Sequence, residues 1–217
     1  MPDLATLAAF DFDGTITTCD SLQEFVRGVA GRGRFAAGVV RSAPWLLGAW
    51  TGACDRGVAK AHFLASTLGG MGRHELEDAA RHFASSELPA LVRPEMLERV
   101  QAHKRLGHRL VLISASPSLY LRPWAAQAGF DAVLATELEF AGDRFSGRLA
   151  SANCWGPEKT RRLREWLAGE QPAMLYAYGD SRGDRELLAL ADRPWLRGDG
   201  ELPVLPAVPT AATALPS

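Results

Sequence analysis

The stretch LAAFDFDGTITTCDS, residues 7–21, runs an apolar segment directly into three carboxylates, Asp11, Asp13 and Asp20. Taken from residue 4, LATLAAF is a short continuous apolar run, the pattern of a strand buried on both faces of a parallel sheet. Two like charges about 4 Å apart repel by roughly 4 kcal/mol at an effective dielectric near 20. The acids therefore either splay into water or surround something positive. The order of the remaining elements decides between these.

Three further runs repeat the buried-strand pattern: RLVLIS (109–114), DAVLAT (131–136) and AMLYAYGD (173–180). Periodic apolar positions predict helices near 94–106, 118–128, 157–168 and 183–191, with Pro117-Ser118 and Pro157-Glu158 suiting helix starts. Strand and helix in alternation imply an α/β fold, a parallel sheet wrapped by helices. Residues 137–150 read as a hairpin turning at Gly142-Asp143. Residues 21–92 contain no strand pattern. They predict four helices, near 21–30, 34–50, 55–68 and 73–85, with GRGRF (31–35) as a loop. The expected organisation is a core of residues 1–18 and 93–205, a helical insertion over 19–92 acting as a lid, and a poorly ordered tail from 206 to 217.

Bulk properties narrow the function. The 217 residues carry a formal charge of −1, so no general field attracts nucleic acid or anionic lipid. Cys19, Cys54 and Cys154 match no zinc spacing, and no secretory signal opens the chain, so a reducing cytoplasm is expected. The five histidines lack ligand-like clustering. The most membrane-like run, VVRSAPWLLGAW (39–50), is too short for a span and is interrupted by Arg41 and Pro44. It reads first as a core-facing helix, with contact to a lipid or an apolar substrate as the alternative.

In open parallel sheets, ligands bind beyond the carboxyl ends of the strands. Asp11, Asp13, Ser114 and Asp180 all fall at such ends, and Lys159, one of only three lysines, opens a helix near the same rim. A carboxylate at Asp11 can attack phosphorus to give an acyl phosphate. That attack needs a bridging cation and positive groups on the free oxygens. Asp180 offers a Mg²⁺ ligand, and Asp184 either orients a metal-bound water or pairs with the lysine. Lys159 and the Ser114 hydroxyl suit phosphate oxygens. Gly14 permits a tight turn whose backbone N–H groups could hold an anion. Thr15 and Ser181 are supporting donors.

DFDGT at 11–15, the strand ending in Ser114, Lys159 and GDSRGD at 179–184 resemble, in order, the four motifs of the haloacid dehalogenase superfamily. The helical insertion after the first motif resembles the phosphoserine-phosphatase-like subgroup, with a small helical cap on a Rossmann-like core. The resemblance implies Asp11 as nucleophile and Asp13 as general acid then base. It implies Ser114 and Lys159, with Gly14 and Thr15, around the phosphate. Mg²⁺ would be held by Asp11, the backbone carbonyl of Asp13, and Asp180. The implied reaction is hydrolysis of a small phosphomonoester, similar to phosphoserine or histidinol phosphate, through an aspartyl-phosphate.

The chain departs from phosphoserine phosphatases at Asp20 (usually Glu), at Ala115-Ser116 (usually Gly-Gly) and at Gly183 (usually Asn). On the substrate side the candidates are Asp20, Lys60 or Arg56, Ala115, and Asn153 with Cys154. Asp20, followed by Gln23, equally suits the N-cap of the first inserted helix. Two other functions compete. One is a phosphatase of a membrane-lipid head group, touching the bilayer through Trp45, Leu46, Leu47 and Trp50. The other is a non-catalytic phospho-ligand sensor.

Overall fold

The computed structural model describes residues 5–207. Its centre is β1 (Leu7–Phe10), buried throughout and paired in parallel with β2 (Arg109–Pro117) on one side and β6 (Leu175–Gly179) on the other. With β3 (Ala132–Thr136) and β7 (Arg193–Leu196) they form a five-stranded parallel sheet in the order β3-β2-β1-β6-β7. The continuous apolar runs follow from this placement. Ala8, Phe10, Leu110, Leu112, Tyr176 and Tyr178 face one core, and Leu7, Ala9, Val111, Ile113, Leu175 and Ala177 face the other. The strand period of two thus feeds two helical layers.

The first layer contains α4 (Pro94–Arg105) and α5 (Ser118–Ala128). The second contains α6 (Pro157–Leu167) and α7 (Arg185–Leu190). β7 was not legible in the sequence, because RPWL is short and holds Pro194. As an edge strand paired only to β6 it tolerates the missing N–H.

The inserted segment comprises α1 (Ser21–Thr51), α2 (Arg56–Leu68) and α3 (Arg73–His82), then a π-turn over Phe83–Glu87 and a 3-10 turn over Leu88–Leu91. The chain leaves and re-enters the sheet side by side: Thr17 and Val92 form an antiparallel bridge, and Arg93 N–H donates to the Ile16 carbonyl at 2.8 Å. The expected loop at 31–35 is not one. Only Gly31 departs from helix, with φ 73° and ψ 161°, and residues 32–35 continue α1 after the kink. Packing supplies the reason: the Phe35 ring meets Phe63 of α2 edge-on at 5.8 Å. At Gly38 an added Cβ would lie 2.2 Å from Thr67 Cγ2, so glycine is what lets the two helices touch. The helix expected over 73–85 ends at His82, where tighter and wider turns take over.

The hairpin turns at Gly142-Asp143, joining β4 (Leu138–Ala141) to β5 (Arg144–Leu149). It also anchors the insertion. Gly70 N–H donates to Phe145 O, Phe145 N–H to Met71 O, and Arg73 N–H to Asp143 O, at 2.9, 2.9 and 2.6 Å. The 39–50 segment is a correction: it does not face the core. Val40, Leu47 and Trp50 are exposed, Trp50 at 82%, and Trp45 stacks on His62. Among the described residues no helix is long and apolar enough to cross a membrane. The tail expected to be poorly ordered lies, from residue 208, outside the described residues.

Candidate active site

Three strand ends and one helix start meet at the carboxyl edge of the sheet. β1 ends into Asp11, whose N–H donates to Tyr178 O at 2.9 Å and so locks it to β6. Its carboxylate accepts from the Lys159 ammonium at 2.5 Å and from the Thr15 hydroxyl at 3.1 Å. Lys159, in the first turn of α6, also donates to Asp184 at 2.5 Å. Of the two sequence options for Asp184, the structure shows the lysine pair. Its other oxygen accepts from the N–H groups of Asp180 and Ser181 and from the Ser181 hydroxyl. Burial alone would lower the lysine, but the two carboxylates override it and hold the ammonium charged well above its ordinary range.

The acids behave oppositely. Burial pushes Asp11 up to about 7 against the pull of Lys159, and burial with the nearby Asp184 raises Asp180. Oxygens of Asp11, Asp180 and Asp184 lie within 4.8 Å of one another. Three carboxyl groups thus share a single ammonium in this largely buried pocket. The Asp184 carboxylate accepts four hydrogen bonds and that of Asp11 two, so Asp184 is the more heavily occupied of the pair. Gly14, at φ +77°, presses the backbone against Asp180: an added Cβ would lie 2.1 Å from the carboxylate oxygen. Carboxylate oxygens gathered this closely fit a hard divalent ion such as Mg²⁺.

The Asp13 carboxylate is not in that cluster. It accepts from Ser21 N–H at 2.7 Å and from the Ser116 hydroxyl at 2.5 Å. The Ser21 hydroxyl in turn meets the Tyr120 hydroxyl at 3.0 Å. Burial, with Asp20 nearby, raises the Asp13 pKa. Sequence reasoning missed Ser21, Ser116 and Tyr120 as members of the site. The spacing of Ser116, two residues from Ser114 on a strand, was the available signal. Ser114 is buried, and its hydroxyl oxygen accepts from Ser116 N–H at 3.0 Å where β2 shifts register against β3.

On the substrate side, Lys60 of α2 donates to the Ala115 carbonyl at 2.5 Å and to Asn153 Oδ1 at 2.7 Å. Burial pulls its pKa down to about 8, against the opposing pull of Asp13. Thr136, unforeseen, donates to the same Ala115 carbonyl at 2.7 Å. Asp20 caps α1, accepting from Leu22 and Gln23 N–H, and is exposed. Arg56 lies over the Trp155 ring at 4.7 Å. Cys154 does not line the pocket as expected. It is fully buried in the core below the sheet with its thiol toward Leu134 O, and burial lifts it to about 11.

A family model described as haloacid dehalogenase-like hydrolase matches residues 8–189. Protein CicA of Caulobacter vibrioides is 38% identical over 192 residues, covering 88% of this chain and 85% of that protein. A protein of unknown function from Bordetella pertussis shares the fold with a TM-score of 0.75 and 26% identity, over 88% of each chain. A phosphoserine phosphatase solved as a phospho-aspartyl intermediate analogue superposes with a TM-score of 0.62 at 16% identity, over 87% of this chain and 84% of that one. With the family match spanning most of the chain and a relative 38% identical over 88% of it, this chain is a member of the haloacid dehalogenase-like hydrolases.

Proposed function

We propose that this protein is a Mg²⁺-dependent phosphatase of small phosphomonoesters, acting through an aspartyl-phosphate on Asp11. The observation that carries this reading is the division of labour between two acids two residues apart. Asp11 is gripped by Lys159 and Thr15, whereas Asp13 is turned away and held by Ser21 and Ser116. A sensor that only bound phosphate would need no second, separately positioned acid.

In this reading an Asp11 oxygen attacks phosphorus and the bond to the leaving oxygen breaks. Asp13, whose proton affinity burial raises, delivers its proton to that oxygen. Asp13 then takes a proton from water as the water attacks phosphorus, the acyl-phosphate bond breaks, and Asp11 is regenerated. Lys159, the Ser114 hydroxyl and the backbone N–H groups around Gly14 and Thr15 hold the non-bridging oxygens. Asp11, Asp180 and the Asp13 carbonyl would hold Mg²⁺, which when bound supplies the charge that lets a carboxylate approach an anionic phosphate. Residues 19–92 serve as the cap that excludes water and chooses the leaving group. Three free cysteines agree with a reducing compartment.

Phosphate release from p-nitrophenyl phosphate tests the reading. Turnover should require Mg²⁺ and vanish in Asp11→Asn; an Asp11→Asn variant as fast as the parent would refute it.

A further inference from the structure

We infer that the leaving group of the substrate is apolar along most of its length and seats in the cavity between α1, α2 and the Asn153–Trp155 loop. The inference rests on the phosphatase reading above and specifies its substrate class. The cavity holds about 620 Å³. Leu22, Phe35, Val39, Leu46 and Phe63 supply its walls, with Trp50 at the rim.

Its polar groups are few and unevenly placed. Arg56 lies over the Trp155 ring, Gln23 reaches Asp20, and Lys60 and Asn153 sit together where the cavity reaches Ala115. That end adjoins the chemistry at two points in the chain. Ala115 follows Ser114, and Leu22 follows Ser21, whose N–H holds Asp13. A phosphomonoester entering with phosphate toward Asp11 would set its ester end beside Lys60 and Asn153, and the rest of its chain against hydrocarbon. A sugar, nucleotide or amino-acid leaving group would set most of its hydroxyl or charged groups against walls that are mainly hydrocarbon.

The test is phosphate release from n-alkyl phosphates, ethyl through decyl, below their critical micelle concentrations. These alcohols differ little in acidity, so length varies while the chemical step does not. We expect kcat/KM to rise roughly three- to fourfold per methylene until the cavity fills, the factor expected for burying one CH₂. Val39→Glu, at a position still 36% exposed and so able to carry a charge without unfolding the chain, should flatten that slope. A rate independent of chain length, a rise appearing only above the micelle threshold, or an unchanged slope in Val39→Glu would overturn the inference while leaving the phosphatase reading intact. No release from any alkyl phosphate or from p-nitrophenyl phosphate would overturn both.

Discussion

Replacing Lys159 by Met removes the one cation inside the acid cluster while keeping its length and hydrocarbon. The Lys159 ammonium lies 2.5 Å from both Asp11 and Asp184, and the side chains are 3%, 8% and 0% exposed, so water screens neither pair. Breaking a buried pair by deleting one partner costs about 3–5 kcal/mol, because the surviving charge stays buried without compensation. At about 2–4 °C per kcal/mol for a chain of this size, the apo protein should melt roughly 6–20 °C lower. Adding Asp184→Asn to Lys159→Met should recover part of that loss, so the double variant is more stable than the two single losses summed. Mg²⁺ should raise the melting temperature of Lys159→Met more than that of the parent, since the pocket has lost a competing positive charge. Calorimetry or urea unfolding in chelator and in Mg²⁺ reads all three effects. A Lys159→Met protein within 1 kcal/mol of the parent, or one indifferent to Asp184→Asn, would show that the cluster is not held together by this ammonium.

The remaining expectations concern the parts around that cluster. Ser116→Ala removes a hydrogen bond that positions Asp13, worth about 0.5–1.5 kcal/mol, so kcat should fall roughly 2- to 13-fold with KM little changed; an unaltered kcat would remove Ser116 from the positioning of Asp13. Gly14→Ala places a methyl on Asp180 at a positive φ, and isothermal titration should show weaker Mg²⁺ binding together with lower stability; unchanged affinity would place the cation elsewhere. His103 is fully buried between His108 and the Tyr178 hydroxyl, and burial lowers its pKa to about 3 from 6.5. A lowered folded-state value means that the unfolded chain binds more protons below pH 6.5. Stability should therefore be complete above that pH and fall by about 1 kcal/mol per unit as acid is added toward pH 4. Urea midpoints across this range should show a shallower fall in His103→Gln, and parallel slopes in the two proteins would contradict the assignment.

The alternation of apolar runs and amphipathic helices determined the α/β class, the strands that form the centre of the sheet, and the rim to which Asp11, Asp13, Ser114, Lys159 and Asp180 are delivered. These are local properties: burial on both faces demands unbroken apolar strands, and reactive groups follow directly where such strands end. What Asp184 and Asp13 touch was not local. The pairing of Asp184 with Lys159, and that of Asp13 with Ser116, join residues 25 and 103 positions apart. Helix contact likewise decided that GRGRF continues α1, since a glycine-rich run has no preference strong enough to resist packing of Phe35 on Phe63. The apolar residues of 39–50 could equally have faced the core, a bilayer or a cavity, because periodicity reports that a face is apolar and not what covers it. Only the crossing of α1 over α2 decided that this face borders the space beside Lys60.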